Sequence, residues 1–397
     1  MSLVEFEHFF SRTPEDVKKV IKEISNMWGL TLVGGSVRDF FIYKSPGKDF
    51  DFEIRGEGDV SDKKLKSLDL ASEILSFEFR RVFIGDYELE FSPPRMETYK
   101  GLGPFHHSDF ESTLDFDFDF KDSFKRRDLT LNAIGFSLKG DFLELVDPHK
   151  GLNDLKKFTA RLISEDFYKD PVRLLRLLRF SMTKSLQIEK KTQDGLSQFD
   201  LSFLSAHYFL KEGRKAGLFS FFSNLNQIVK KYEILLPKEC DLNLFTKAHP
   251  NPQYIQLIDN IEMIFLYNLF HQQISIDDFS FFDFFSYSQK RRRFLHSLQG
   301  NVEEMSSRMD EIKKLKNLEP LKSSESPVLV DLKRVDSQLQ KISIYDFDFL
   351  RKFPECHKSF TRFKFFKNLI CETKKTKEAF EKYLNKTPDI HQKKNCE

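Results

Sequence analysis

The chain has 397 residues, room for two or three domains of roughly 150 residues each, and 40% of them are apolar, so neither a miniprotein nor a disordered chain fits. Its 63 Lys and Arg against 61 Asp and Glu leave a net charge of only +2, so charge has to be read segment by segment. Four cysteines (Cys240, Cys356, Cys371, Cys396) without a CxxC pair give neither a zinc spacing nor a disulfide framework, and a reducing, cytoplasmic setting is expected. The first residues carry acids where a signal peptide needs bases, and no stretch reaches the roughly 18 apolar residues of a membrane span, so no membrane association is expected. Phenylalanine is abundant, 45 residues against one Trp, and reads as core filler rather than as base-stacking platforms.

In chain order, Thr13-Pro14 opens a helix over 14–28, and Leu30-Thr31-Leu32-Val33 reads as a buried strand ending in Gly34-Gly35. Strands are predicted at 50–54, 79–84, 87–91, 134–138 and 142–146, which makes the first 150 residues or so a mixed α and β region with a small sheet. After Pro148 the texture changes to long Leu, Phe, Lys and Glu stretches at helical period, broken by Pro171, Pro237, Pro250 and Pro252, which predicts an all-helical remainder. Segment 156–193 carries a local charge of +6 and segment 351–397 one of +7, patterns that suit a polyanion and equally a solvated helix face.

The first chemically informative run is LVGGSVRDFFIYKSPGKDFDFEI. A strand ending in Gly34-Gly35 lets backbone N–H groups and the Ser36 hydroxyl approach a triphosphate, with Arg38 on the first turn of a following helix. No GKS or GKT is present, so this is not a Walker loop, and a GG pair by itself also marks an ordinary turn. Asp49 and Asp51 stand at i and i+2 of a strand pattern, so their carboxylates share one face and repel unless a cation separates them. A pair of Mg²⁺ ions about 3.5–4 Å apart is the usual device for in-line nucleotidyl transfer. Taken alone, DFD also describes a solvated strand face, and Asp115-Phe116-Asp117-Phe118-Asp119-Phe120 repeats the pattern. Only the first copy closely follows a phosphate-binding turn, so Asp49 and Asp51 are assigned the metals and 115–120 is predicted to be an exposed acidic strand.

GGSVRD, DFD, RRDLTLNAIGF (126–136), DPHKGLNDL (147–155) and KDPVRLLRLLRF (169–180), in this order, resemble the class II tRNA nucleotidyltransferase and bacterial poly(A) polymerase family. The likeness covers residues 25–185 well and the rest only loosely, and SPPRMETYKGLGPFHHSDF (92–110) is similar to the loop region such enzymes carry before RRD. The resemblance implies that Gly35, Arg38 and Arg127 contact the nucleotide, in line with the phosphate-binding reading of Gly34 and Ser36 from the turn itself, that Asp49 and Asp51 bind Mg²⁺, and that Asp128 and Asn132 lie near the sugar. Without it, Arg126-Arg127 would read as a basic pair on a surface loop and Asp128 as a helix cap.

In KDPVRLLRLLRF, Arg173, Arg176 and Arg179 recur every three residues and share one side of a helix opposite Leu174 and Leu178. Asp170 is an acceptor and Arg173 a fixed donor fork, which together match a base edge offering an exocyclic amine beside a ring acceptor, as cytosine and adenine do. Equally, Asp170 before Pro171 is a helix N-cap. The resemblance implies that Asp170 and Arg173 select CTP and ATP, with Arg176 and Arg179 toward the nucleotide; Lys169 stands where many members have Glu. His106 and His107 are expected to be surface residues.

The fold expected is α+β, a small mixed β-sheet nucleotidyltransferase head (1–153) followed by an all-helical neck (154–236) and a helical body and tail that binds tRNA (237–397). The activity implied is template-independent addition of CCA to the tRNA 3′ end from CTP and ATP, with release of pyrophosphate. A-only, CC-only and poly(A) addition are alternatives, and an inactive RNA-binding protein on the same scaffold is a more distant one. The 74 residues between Asp51 and Arg126 leave room for the loop that CC-only members are thought to lack, which favours full CCA addition.

Overall fold

A computed structural model of the chain describes residues 8–45, 47–55, 72–74, 80–101, 103–140, 142–240, 242, 245 and 284–285, with the backbone alone at 72–74. Most of the expected body and tail, 237–397, together with its basic end and Cys356, Cys371 and Cys396, lies outside the described residues. The chain divides into two compact units, one of residues 1–204 with 228–236 and the other of residues 205–227 with 237–397.

The first unit begins with α1 (Glu15–Met27), which buries Val17, Ile21 and Ile24 on one stripe, as the apolar spacing demands. It leads into β1 (Gly29–Val33), a turn at Gly34, and α2 (Gly35–Tyr43). Then follow β2 (Asp49–Arg55), β3 (Ser72–Ile74), β4 (Arg80–Ile84) and β5 (Tyr87–Ser92). After a separate hairpin, β6 (Arg95–Tyr99) with β7 (Phe110–Leu114), come α3 (Phe120–Phe124), β8 (Gly135–Lys139) and β9 (Phe142–Val146).

Seven strands form one mixed sheet in the order β3-β4-β5-β2-β1-β8-β9, in which only β2 and β5 run parallel. Along β2 the side chains alternate strictly. Phe50, Phe52 and Ile54 are buried, each apolar side chain contributing about 1.5–3 kcal/mol, while Asp49, Asp51 and Glu53 take the opposite face. Phe9 packs edge-on or tilted among Phe40, Phe50 and Phe136 at centroid distances of 5.2, 5.5 and 6.1 Å, so the phenylalanines fill the core as expected. The expected acidic strand at 115–120 is a turn followed by a helix cap. Asp115 Oδ1 accepts from Asp117 N–H and Asp119 Oδ1 from Asp122 N–H, because short carboxylate side chains compete with the ladder for backbone donors.

Helices then take over with α4 (Gly151–Lys156), α5 (Pro171–Thr183) and α6 (Lys190–Asp194), tied by a two-residue parallel pair, β10 (Thr159–Ala160) with β11 (Gln187–Ile188). The expectation of separate basic and apolar faces on α5 needs correction. Arg173 is buried along with Val172, Leu174, Leu175, Leu177 and Leu178, because neighbouring segments cover both sides.

The second unit contains α7 (Ala206–Ala216) and the first part of α8 (Leu218–Tyr232). Phe209 meets Phe284 at 5.2 Å, and Phe222 meets Phe245 and Phe285 at 4.8 and 5.6 Å. Cys240 is buried, and none of the described helices is long and apolar enough to cross a membrane.

Candidate active site

The turn from β1 into α2 needs a glycine at its corner. Gly34 has φ +83° and ψ −136°, a conformation that side chains other than hydrogen resist. The first backbone N–H groups of α2, which helix geometry leaves without an intrahelical acceptor, follow at Gly35 and Ser36, and among the described residues the buried Ser36 Oγ has no hydrogen-bond partner, as a group awaiting a ligand oxygen would. Arg38, one turn further, is buried and held from several directions. Nε and Nη2 donate to the two oxygens of Asp39 at 2.8 and 2.9 Å, Nη1 donates to Asn132 Oδ1 at 2.6 Å, and the guanidinium lies 4.6 Å from the Phe180 ring centre. Burial would raise the Asp39 pKa, but the hydrogen bonds and charges of Arg38 and Lys184 outweigh it and hold the carboxyl below its ordinary range.

Strand pairing places Asp51 opposite Val33 of β1 on one side and Glu90 of β5 on the other. A Cβ added at Gly34 would lie 3.0 Å from Asp51 Oδ2 and 3.3 Å from Arg127 Nη1, so the turn, the carboxylate and the arginine converge on one spot. Asp49 and Asp51 both reach solvent. Crowding by protein atoms pushes the Asp51 pKa up, Arg127 and Arg126 pull it back, and the Glu90 and Asp49 carboxylates push it further. Paired acids whose mutual repulsion is only partly offset, beside the Gly34 turn, fit a divalent cation. Among the described residues no cluster of three or more His, Cys, Asp or Glu can hold a metal. Mg²⁺ does not require one, since it is commonly held by one or two carboxylates with phosphate and water completing the shell.

The third acid of that face is different. Glu53 is fully buried and accepts from Ser123 Oγ at 2.9 Å, pairs with Arg55, and lies 3.8 Å from Arg126 Nη2. This overturns the reading of Arg126-Arg127 as a surface pair, since both are half-buried and Arg126 is drawn toward a carboxylate beneath it. Arg127 lies 5.3 Å from the Phe124 ring centre, donates from Nη1 to Asn132 O at 3.3 Å, and among the described residues its Nε has no partner. Asp128 is buried and accepts from Arg176 Nε at 2.5 Å, Asn132 Nδ2 at 2.7 Å and Leu129 N–H at 2.8 Å. A polar chain therefore runs Arg176, Asp128, Asn132, Arg38, Asp39, Lys184, linking α5 to α2. Arg179 lies over the Phe180 ring at 3.9 Å.

Asp170 N-caps α5, its Oδ1 accepting from Val172 N–H at 2.9 Å, with Pro171 at the first helical position. Arg173 Nε lies 3.5 Å from Asp170 Oδ2, so the two sit side by side, and its Nη1 and Nη2 donate to the carbonyls of Asp166 and Arg126 at 3.2 and 2.7 Å. Lys169 pairs with Asp166 at 2.7 Å. Two contacts had no signal in the sequence. His107 Nδ1 is 2.9 Å from Asp170 Oδ1, which corrects its expected role as a plain surface residue, and Glu97 Oε2 is 3.7 Å from Arg173 Nη2. The His107 contact bridges 63 residues, so no local spacing could show it.

Residues 30–161 match the family described as Poly A polymerase head domain. The chain is 40% identical over 154 residues to a multifunctional CCA protein of Psychromonas ingrahamii, covering 38% of this chain and 34% of that one. It is 31% identical over 180 residues to an A-adding tRNA nucleotidyltransferase of Aquifex aeolicus, covering 42% of this chain and 20% of that one. The chain thus spans about a third and a fifth of the length of these curated relatives. Among solved structures it is similar to a CCA-adding enzyme in complex with CTP, with a TM-score of 0.57 at 18% identity over 98% of this chain and 90% of that one, a likeness of fold.

Proposed function

We propose that the protein, whose residues 30–161 match the Poly A polymerase head domain family, is a template-independent tRNA nucleotidyltransferase that adds CCA to the 3′ end from CTP and ATP. The observation that carries the reading is the convergence of Asp51, with Asp49 beside it, on the Gly34 turn and Arg127. The division proposed is a head at 1–153, a neck at 154–236 and a tRNA-binding body and tail at 237–397.

Asp49 and Asp51 would hold Mg²⁺, which supplies the positive charge that favours an ionised 3′ hydroxyl and neutralises the triphosphate. The 3′ oxygen of the acceptor attacks the α-phosphorus, a new P–O bond forms, the α–β bridging bond breaks and pyrophosphate leaves. The N–H groups of Gly35 and Ser36 and the Ser36 hydroxyl donate to phosphate oxygens at the start of α2. Arg38, Arg127, Arg176 and Arg179 supply fixed positive charge, with Asp128 and Asn132 holding Arg176 and Arg38 in place. Asp170 and Arg173 read the base, their acceptor and donor lying side by side at 3.5 Å.

The test is incubation of purified protein with tRNA lacking its 3′ triplet and with each labelled nucleotide separately and together. The proposal predicts CMP incorporation from CTP alone and AMP addition onto tRNA ending in CC. The A-adding relative favours a second reading, addition of A only. Incorporation solely into tRNA ending in CC would establish that one, and long A tails on any RNA would discard both.

A further inference from the structure

Helix α5 reaches Arg38 from its far end as well as from its middle. Arg176, Phe180 and Lys184 recur every fourth residue, and Lys184 N–H donates to Phe180 O at 2.9 Å, so the three line one face of α5 and its C-terminal cap. All three bear on the same arginine. The Arg38 guanidinium lies 4.6 Å from the Phe180 ring centre, Arg176 reaches it through Asp128 and Asn132, and Lys184 reaches it through Asp39. The polar chain between the helices therefore leaves α5 at Arg176 and returns to it at Lys184, with Arg38 held between.

The Lys184 end is well enclosed. Its side chain is 12% exposed, and Nζ lies 3.0 Å from Asp39 Oδ1, donates to Tyr43 Oη at 3.0 Å and stands 4.4 Å from the Tyr43 ring centre. A lysine at a helix C-terminus ordinarily serves the last carbonyls and the helix dipole. This one crosses to α2 and meets a carboxylate. Asp39 Oδ1 takes both Arg38 Nε at 2.8 Å and Lys184 Nζ, while Oδ2 takes Arg38 Nη2 at 2.9 Å. A carboxylate orients an arginine only as well as it is itself held, and Lys184 gives the partly exposed Asp39 a second hold. With Nε, Nη1 and Nη2 each giving one N–H to Asp39 or Asn132, one N–H on each terminal nitrogen is left for a ligand. Nη2 lies at the phosphate turn, 3.7 Å from where a Cβ at Gly35 would stand. The fork is planar, so Asp39 sets the direction of those remaining donors, and a tilted fork loses its match to phosphate oxygens.

We propose that Lys184 is a positioning residue for the triphosphate: through Asp39, and braced by Tyr43, it fixes the plane of the Arg38 fork at the Gly34-Gly35 turn. This rests on the reading of Arg38 as a phosphate-holding residue. Lys184 thus acts on a group that CTP, ATP and pyrophosphate share, and its effect is blind to the base. The test uses the full chain with Lys184→Met, which keeps the length of the side chain and removes its charge, and Lys184→Arg, which keeps the charge. It measures KM and kcat for CTP on tRNA lacking its 3′ triplet and for ATP on tRNA ending in CC, the dissociation constant of pyrophosphate by calorimetry, and the melting temperature. In Lys184→Met both KM values and the pyrophosphate constant are expected to rise by a common factor of about ten, as for one charge-assisted hydrogen bond, with kcat within about threefold of wild type. Lys184→Arg is expected to restore most of the loss. Should Lys184→Met fail to accumulate folded protein, Tyr43→Phe removes only the hydroxyl brace of an exposed side chain and is expected to raise the same three constants together by about threefold. Constants that stay at wild-type values in the folded variant, a rise confined to one nucleotide, or a lower melting temperature with unchanged KM, as for a residue that merely ties two helices together, overturn the inference while leaving the proposed function standing. A wild-type chain that incorporates no nucleotide takes both down.

Discussion

Replacing Gly34 by alanine separates two costs that the site imposes on one residue. The backbone at φ +83° and ψ −136° is open essentially to glycine, so a side chain there costs about 1–3 kcal/mol. At about 2–4 °C per kcal/mol, the melting temperature should drop by about 2–12 °C. The second cost is local, since the new Cβ stands 3.0 Å from Asp51 Oδ2 and 3.3 Å from Arg127 Nη1. Either group must shift, and a displacement of about 1 Å at a reacting centre costs about 100-fold in rate. Gly85, in the β4–β5 turn, is the control: its φ is +54° and an added Cβ meets nothing within 4 Å. Gly85→Ala should therefore show strain without crowding, a lowered melting temperature with the wild-type kcat. The assay pairs thermal unfolding with single-nucleotide incorporation at saturating CTP. A Gly34→Ala protein that melts and turns over like wild type would refute the geometry of the turn, and equal rate losses in both variants would refute the convergence of Asp51 and Arg127 upon it.

Gly151→Ala would drive a Cβ to 2.0 Å from Thr130 O and 2.7 Å from Thr130 C. Backbone cannot yield as a side-chain tip does, so a loss beyond the usual 1–3 kcal/mol of overpacking is expected, read as a melting temperature or as failure to accumulate folded protein. Arg176→Gln removes the strongest partner of Asp128 and should cost about 1.5–3 kcal/mol at neutral pH. Burial opposes the Asp128 charge, but the charge and hydrogen bond of Arg176, with Asn132 and Leu129 N–H, hold its folded pKa well below the ordinary carboxylate range. Its contribution is therefore complete above the unfolded pKa and is lost as pH falls through the lower folded value. Melting curves of wild type and variant should converge on acidification, and a gap that widens would contradict the pairing.

Local chemistry made part of this molecule readable in advance. The sharp corner at Gly34 and the alternation of Asp49, Phe50, Asp51 and Phe52 follow from backbone freedom and the period of a strand, and both stand where expected. Asp170 before Pro171 reads as a helix cap for the same reason. What stayed hidden depends on contacts between distant segments. Nothing near Arg126 announces that Glu53 lies beneath it, a junction closed by Ser123 across 70 residues. Strands β6 and β7 escape a reading by hydrophobic alternation because RMETY and FESTL are mixed and half-exposed, finding their stability in each other rather than in the main sheet. The 115–120 run misled in the opposite direction, since its alternation imitates a strand while each aspartate can also serve a turn or a cap.

The most direct test is the single-turnover rate of CMP incorporation into tRNA lacking its 3′ triplet, compared between wild type and Asp51→Asn at saturating Mg²⁺, with tRNA affinity measured in parallel by filter binding. The account predicts a rate reduced by at least about 1,000-fold with tRNA affinity within a few-fold of wild type, because the change removes one carboxylate charge and leaves shape nearly intact. An Asp51→Asn protein that keeps wild-type turnover would contradict the assignment of the cation site to β2.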